Sequence, residues 1–288
     1  MGSMFERKNI GYESISSTAW TVAHRRTFTD ISYSQEIFDE FQRILLDQGS
    51  SEIPEELVSP QIAPQIEARY KLVSRLIKEN SIRQVLEIAT GLSPRGLEMT
   101  NDPTVEYVEV DLPTMMSHKK KIVGALGSKG NLHLEIGNAL DLDSLKAAVA
   151  ILDQTRPLGI VHEGLLRYFN FDEKAKIARN IHYLLELFGG VWITPDITLK
   201  TVLNVASTED RNQIEKVGQL IGINIDGNRF ENVEAAQKFF EELDFTIERH
   251  RFTEVMNELV SPARLGQTRQ QVEALIDGAY VFVMRIRQ

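Results

Sequence analysis

The chain has 288 residues, of which 42% are hydrophobic and 25% are charged; its formal net charge is −9 and it contains no cysteine. This composition predicts a folded globular protein and excludes disulfides, thiolate metal sites and cysteine nucleophiles. The negative charge argues against a broad nucleic-acid-binding surface. No apolar run approaches the roughly 20 residues that cross a bilayer, and the start, MGSMFERKN, has no signal-peptide core. We therefore expect a cytoplasmic protein that contacts no membrane and acts on a small molecule.

The N-terminal part is predicted to be helical. Residues 14–50 are rich in helix formers, and their apolar positions recur with helical spacing. That apolar face consists of Ile37, Phe38, Phe41, Ile44 and Leu45. The following stretch, DQGSSEIPEELVSPQIAP, predicts a loop. We expect residues 1–60 to form a helical cap that belongs to the same domain as the rest.

From residue 66 to about residue 197, strand and helix patterns alternate. The strand patterns are QVLEIA, VEYVEVDLP, NLHLEIGNA, PLGIVHEGLLRYF and GGVWITPDI. The helical patterns are IEARYKLVSRLIKEN, LDSLKAAVAILDQT and EKAKIARNIHYLLELF. Strands joined through helices imply βαβ units and a mostly parallel sheet, so the predicted fold class is α/β.

The C-terminal part is predicted to be helical from Leu199 up to VEAAQKFFEEL, and then to form two strands, FTIERHRF and AYVFVMRIR. The αβ pattern occurs only once, and we find no internal repeat. Residues 61–288 are therefore predicted to be one domain, with a helical insert at about 199–235.

The segment VLEIATGLSPRGLE, residues 85–98, breaks from a strand pattern into small residues. In an open parallel sheet the first strand delivers the chain to a turn whose bare backbone touches the ligand, and Ala89, Thr90, Gly91 and Gly96 fit such a turn. Asp111 lies at the end of the next strand, where a carboxylate can accept from ribose hydroxyls. The pair predicts an adenosine-containing ligand, with an ordinary structural turn as the alternative. The loop is poor for a pyrophosphate, which favours S-adenosylmethionine over a nicotinamide dinucleotide.

Five stretches in this order resemble one family: SSTAWTVAHRR, IEARYKLVSRLI, VLEIATGLSPRG, YVEVDLPTMMSHKK and IVHEGLLRYF. The family is the leucine carboxyl methyltransferase and tetracenomycin-type polyketide O-methyltransferase group of class I S-adenosylmethionine-dependent enzymes. The resemblance implies a Rossmann-like sheet with an antiparallel last strand, a helical N-terminal cap and an insert that covers the substrate.

The resemblance also implies roles for single residues. Arg69 matches the arginine that holds the carboxylate of S-adenosylmethionine, and either Arg25 or Arg26 matches a basic residue that assists it. Glu163 matches a glutamate beneath the methionine portion. The turn at residues 89–96 is called the glycine loop below. The other implied cofactor contacts are Glu87, Ala89 and Gly91 around the glycine loop, Asp111 and Leu112 at the ribose, and Asn138 and Ala139 at the adenine.

Three positions depart from the family pattern. Ala89 stands where the family usually has Gly, Ser93 where Asp is common, and Asn138 where Asp is frequent. An asparagine can still accept a hydrogen bond from the adenine amine through its amide oxygen. These changes affect the strength of binding more than the chemistry.

Methyl transfer from a sulfonium needs an acceptor that is held in line and shielded from water. It does not need a nucleophilic side chain of the enzyme. A carboxylate acceptor needs no base, whereas a hydroxyl would profit from one. The candidate bases are His24, His162, Tyr168 and His118, each of which also has a structural interpretation.

Two further patterns are given structural interpretations. INIDGNRF, residues 223–230, offers Asn224, Asp226 and Asn228 but lacks the spacing of a calcium loop, so we interpret it as an Asp-Gly turn and predict no metal. SHKKK, residues 117–121, is interpreted as a solvated helix face.

The leading functional hypothesis is an S-adenosylmethionine-dependent O-methyltransferase that acts on a carboxylate or hydroxyl of a small molecule, such as a natural-product intermediate. The alternatives are a protein C-terminal carboxyl methyltransferase, which would need a groove for a peptide, and a non-methylating binding protein on the same fold. A nicotinamide-dependent oxidoreductase is disfavoured by the glycine loop. The acceptor and the oligomeric state are left open by the sequence.

Overall fold

A mixed sheet of seven strands runs through the computed structural model, which describes residues 16–49, 59–200 and 227–287. Along the sheet the strand order is β3-β2-β1-β4-β5-β7-β6. The first five strands pair in parallel, whereas β7 is antiparallel to both β5 and β6. The strands are β1 (Gln84–Ile88), β2 (Glu106–Asp111), β3 (Leu132–Ile136), β4 (Leu158–Val161), β5 (Gly190–Thr194), β6 (Phe245–Arg251) and β7 (Tyr280–Ile286). The predicted α/β class, with a mostly parallel Rossmann-like sheet and an antiparallel last strand, is confirmed.

Helices cover both faces of this sheet. They are α1 (Ser16–Arg26), α2 (Ser34–Asp47), α3 (Ala63–Glu79), α4 (Arg95–Met99), α5 (Pro113–Leu126), α6 (Leu142–Ala148), α7 (Phe171–Phe188), α8 (Val233–Glu241), α9 (Ser261–Arg264) and α10 (Arg269–Ile276). Short 3₁₀ turns occur at Pro60–Ile62, Val149–Ile151, Leu166–Tyr168 and Phe252–Glu258. The helical start of the chain corresponds to α1 and α2, whereas the sequence patterns did not predict α4, α9 and α10. These three helices are four to eight residues long, too short for a helical period to be recognised.

Strand residues alternate between two apolar layers, because successive side chains of a strand point to opposite faces. Val85 and Val283 join the layer formed with α1, α2, α3, α5 and α10. Leu86 and Met284 join the layer formed with α6, α7 and α8. The predicted apolar face of α2 packs into the first layer, where Phe41 is completely buried. The cap helices α1 and α2 therefore share a core with the sheet.

The predicted insert lies mostly outside the described residues, as do residues 50–58 of the predicted loop. Its two ends meet, because Leu199 and Phe230 form a parallel β-bridge. Asn224 and Asp226 of the proposed Asp-Gly turn also lie outside. Within the described ranges, no helix is long and apolar enough to cross a membrane.

The turn after β1 requires two residues with left-handed backbone. Ala89 has φ 54° and Gly91 has φ 52°. Only glycine adopts this conformation without a steric penalty, since a Cβ crowds the carbonyl that follows. Ala89, the position at which the family pattern has glycine, therefore carries local strain.

We predict that Ala89→Gly stabilises the protein by about 0.5–1 kcal/mol, because relief of about 1–2 kcal/mol of left-handed strain exceeds the added entropy of the unfolded chain. Urea denaturation measures the difference. The matched control is Ala147→Gly on the exposed side of α6, which should destabilise by about 1 kcal/mol. Destabilisation of the same size in both variants would contradict the strain argument.

Candidate active site

Three guanidinium groups converge on Glu163, which follows β4 at the edge where the parallel strands end. Arg69 Nε lies 2.7 Å from Glu163 Oε2, and Arg26 Nη2 lies 3.8 Å from the same oxygen. Arg95 Nη2 donates to Glu163 Oε1. The Glu163 side chain is only 4% exposed. Burial disfavours its charge, but Arg95, Arg69 and Arg26 outweigh that effect and lower the pKa of Glu163 to about 2.

Arg95 links Glu163 to the middle of the sheet. Its fully buried side chain donates from Nη1 to Glu87 Oε1 of β1 at 2.8 Å and from Nε to Ser74 Oγ of α3 at 3.1 Å. Tyr107 of β2 donates to the other oxygen of Glu87 at 2.8 Å. Sequence reasoning missed Arg95 as a site residue. The available signal was a charged side chain inside the loop motif GLSPRG.

A second buried ion pair lies beneath the glycine loop. Glu109 of β2 is the register partner of Glu87 and is paired with Lys119 of α5, whose Nζ is 3.0 Å from Oε2. Burial raises the pKa of Glu109 to about 7, with Lys119 opposing the shift and Glu87 adding to it. Lys119 Nζ also donates to the carbonyl of Ser93 in the loop.

The pair of Glu109 and Lys119 corrects one sequence interpretation. SHKKK is not a solvated face, because Lys119 and His118 are buried. The pair also gives a steric reason for Gly96 of the predicted ligand-binding turn, because a Cβ there would clash with Glu109 Oε1.

Asp111 closes the glycine loop from the end of β2. Its Oδ2 accepts from the Gly91 N–H at 2.7 Å and its Oδ1 accepts from the Leu112 N–H at 2.7 Å. Burial raises its pKa, and the two N–H groups partly offset that shift. The residue remains partly exposed, so each oxygen keeps a lone pair for a further donor.

The two neighbouring arginines of α1 have different surroundings. Arg26 is buried, donates to the Leu92 carbonyl of the glycine loop at 3.1 Å and faces Glu163. Arg25 Nε instead donates to the carbonyl of Ser59 at 3.1 Å. Arg26, and not Arg25, is therefore the arginine of α1 that faces Glu163.

The residues assigned to the adenine follow β3 at the same edge. Asn138 Oδ1 accepts from the Leu140 N–H at 2.9 Å, and the Asn138 N–H donates to Ser144 Oγ at 3.0 Å. The carbonyl of Ala139 accepts from Asn180 Nδ2 at 2.9 Å. These bonds fix the turn and leave Asn138 partly exposed.

His162, a candidate base, is completely buried between two partners. Trp192 Nε1 donates to His162 Nε2 at 2.9 Å, so the imidazole proton resides on Nδ1, which is 2.9 Å from Asp196 Oδ2. Both ring nitrogens are therefore engaged within the protein.

The other candidate bases are buried or half-buried. The ring of His24 stacks on Trp20 and contacts Phe28 and Phe38, and its pKa is lowered by burial and by Arg25. His118 packs edge-on to Phe41, and burial together with Lys121 lowers its pKa. Tyr168 is buried in the 3₁₀ turn that follows Glu163.

Asp196, after β5, is a buried carboxylate that sequence reasoning missed. Its Oδ1 accepts from the Gly164 N–H at 2.6 Å, and its Oδ2 accepts from the N–H of Leu165 and from His162. Burial opposes its charge, but these hydrogen bonds lower its pKa. The only sequence signal for Asp196 as a site residue was the position of an acidic residue at a strand end, in the motif TPDI.

The comparisons with known proteins agree on the fold. The model of the leucine carboxyl methyltransferase family matches residues 23–182, more than half of the chain. No curated protein sequence matches. Among solved structures, a DUF574 family protein from Streptomyces avermitilis is similar, with 17% identity, a TM-score of 0.58, and coverage of 93% of this chain and 97% of that one. The methyltransferase domain of the bacterial protein CtHen1-C has 10% identity and a TM-score of 0.50 over 77% of this chain and 98% of its own.

We predict that Lys119→Met destabilises the protein by about 3 kcal/mol, because it leaves the Glu109 carboxylate buried without its cation. Chemical denaturation at pH 8 measures the loss. Lys121→Met, an exposed position of the same helix, is the control and should change stability by less than about 0.5 kcal/mol. Equal effects would show that Lys119 does not neutralise Glu109.

The pH dependence of stability should report on Glu163. Its pKa is lowered from 4.5 to about 2 in the folded protein, so its ionised form stabilises the fold above pH 4.5 and this contribution disappears as the pH falls toward 2. The shift corresponds to about 3 kcal/mol. We therefore expect Glu163→Gln to be less stable than the wild type at pH 7, with the difference shrinking below pH 4.5 in parallel urea titrations. A difference that stays constant from pH 7 to pH 3 would contradict the role of the three arginines.

Proposed function

Since the chain belongs to the leucine carboxyl methyltransferase family and is a methyltransferase, we propose that it transfers the methyl group of S-adenosylmethionine directly to an oxygen of a small-molecule acceptor. The observation that carries the proposal is the pairing of Arg69 with Glu163 at 2.7 Å. A cation and an anion side by side at the carboxyl edge of a parallel sheet complement the carboxylate and ammonium of an amino acid.

The donor set fits the methionine end of this cofactor. Arg26 Nε is buried and, among the described residues, has no hydrogen-bond partner. The Arg69 side chain is 16% exposed, so part of it is accessible to a ligand. A carboxylate placed between these two guanidinium groups would satisfy Arg26 Nε, and Glu163 would accept from the ammonium.

The adenosine end is supported by Asp111 and by the shape of the glycine loop. Asp111 already holds the loop through Gly91 and keeps acceptor capacity for two ribose hydroxyls. Asn138 and Ala139 follow β3 at the adjacent position of the edge. The loop turns through Ala89 and Gly91, and Pro94 stands between Gly91 and the next glycine, Gly96, which suits a ligand that has no pyrophosphate.

The acceptor we propose is an oxygen that is ionised at neutral pH, with a carboxylate first. S-adenosylmethionine, when bound, supplies a methyl group that a sulfonium already activates. The chain therefore needs to hold the acceptor in line and to exclude water. Because both nitrogens of His162 are engaged, this residue has no free lone pair to remove a hydroxyl proton.

Calorimetric titration with S-adenosylmethionine tests the cofactor. We expect binding to the wild type, and a loss of about 10- to 100-fold in affinity in Arg69→Ala and in Asp111→Ala, because each removes charge-assisted hydrogen bonds. Arg75→Ala is the control, since this arginine lies on the same helix but pairs with Glu254. NAD should not bind.

A methyl-transfer screen in the same conditions identifies the acceptor class. Small carboxylic acids, phenols and peptides with a free C-terminal carboxylate are compared as acceptors, with tritiated S-adenosylmethionine as the methyl donor. Turnover of small carboxylic acids is expected. Turnover of the peptides alone would assign the chain to protein methylation, and failure of S-adenosylmethionine to bind would overturn the proposal as a whole.

A further inference from the structure

The carboxylate of Asp196 holds both residues that flank Glu163. On one side it accepts from His162 Nδ1 at 2.9 Å, and on the other from the backbone N–H of Gly164 at 2.6 Å. The N–H groups of Leu165 and Leu166 add two further donors. Asp196 is only 4% exposed. A single buried group at the end of β5 thus receives four hydrogen bonds from the segment that carries Glu163.

The loop needs such a restraint because its backbone turns sharply at this point. Gly164 has φ 86°, a left-handed conformation. A Cβ on Gly164 would meet no atom within 4 Å, so the glycine is needed for its backbone conformation and not for space. The hydrogen bonds to Asp196 restrain the backbone immediately after Glu163.

Trp192 and Thr194 fix the orientation of the His162–Asp196 pair. Trp192 donates to His162 Nε2, which leaves Nδ1–H to donate to Asp196. Thr194 Oγ1 accepts from the backbone N–H of Asp196 at 3.1 Å. Both lie on β5, whose register with β4 pairs Trp192 with Ile160. The sheet therefore sets the position of Asp196, and Asp196 sets the position of the loop.

We propose that Asp196 is a positioning residue, which acts through Glu163 to set the affinity of the site for the ammonium end of S-adenosylmethionine. Asp196 itself touches none of the three arginines by a hydrogen bond in the described part of the chain. The inference rests on the proposed function, because it assigns the ammonium to Glu163.

The experiment is a double-mutant cycle on cofactor affinity. Wild type, Asp196→Asn, Glu163→Gln and the double variant are compared by equilibrium dialysis with tritiated S-adenosylmethionine, and thermal unfolding checks each fold. Asparagine keeps the shape of aspartate but turns one acceptor into an NH₂ group that faces backbone donors. Asp153→Asn is the matched control, because this exposed aspartate also accepts from a backbone N–H but lies before β4, at the opposite end of the strand.

We expect Asp196→Asn to weaken binding about tenfold in the wild type and less than about threefold in the Glu163→Gln background, whereas Asp153→Asn changes nothing. Equal losses in both backgrounds would mean that Asp196 supports the fold independently of Glu163, and would overturn the inference. So would unchanged affinity in a folded Asp196→Asn. Failure of the wild type to bind is a separate result, which overturns the proposed function and this inference with it.

A milder variant covers the case in which Asp196→Asn does not fold. Thr194→Val removes the hydroxyl that accepts from Asp196 but keeps the carboxylate and nearly the same volume. We expect a loss of affinity of about threefold in the wild type and none in the Glu163→Gln background. Unchanged affinity in folded Thr194→Val would then overturn the inference.

Discussion

Two glutamates lie side by side in the interior of the sheet, and the site is arranged around the need to neutralise them. The parallel register of β1 and β2 places Glu87 next to Glu109, both essentially without exposed surface. A buried carboxylate is tolerated only with a partner. Arg95 follows the glycine loop and pairs with Glu87, whereas Lys119 of α5 pairs with Glu109. The two cations therefore tie the loop to the sheet from both sides.

The ion pairs of the sheet interior extend to the candidate site. Arg95 has one guanidinium nitrogen on Glu87 and another on Glu163, so it links the centre of the sheet to the loop after β4. With Arg69 and Arg26 added, three positive charges face the two negative charges of Glu163 and Glu87, so this cluster of five described residues has an excess of one positive charge. An excess of buried positive charge favours an anionic group from outside, such as the carboxylate of the proposed cofactor. Glu163 thus belongs to the same network of ion pairs that neutralises the interior of the sheet.

Glu163 is restrained from two directions that differ in chemistry. The arginines act on its side chain through charge, whereas Asp196 accepts hydrogen bonds from the imidazole of His162 on one side and from the backbone N–H of Gly164 on the other. His162 belongs to the second restraint: Trp192 donates to its Nε2, which leaves Nδ1–H to donate to Asp196. A histidine that the sequence offers as a base therefore has a structural task in the folded chain.

The sequence by itself determined the alternation of strands and helices, the edge at which the predicted site residues collect and the residue types of the loop, because periodicity and strand ends are local properties. It did not predict α4, α9 and α10, whose length is less than a recognisable period. Only the tertiary structure decided which charges meet: Arg95 and Glu163 are 68 residues apart in the chain, and Gly164 and Asp196 are 32 apart. It also buried Lys119 within a segment whose local pattern is that of a solvated surface. The physical reason is that the energy of a buried charge depends on its partners across the sheet, and no local pattern of residues specifies those partners.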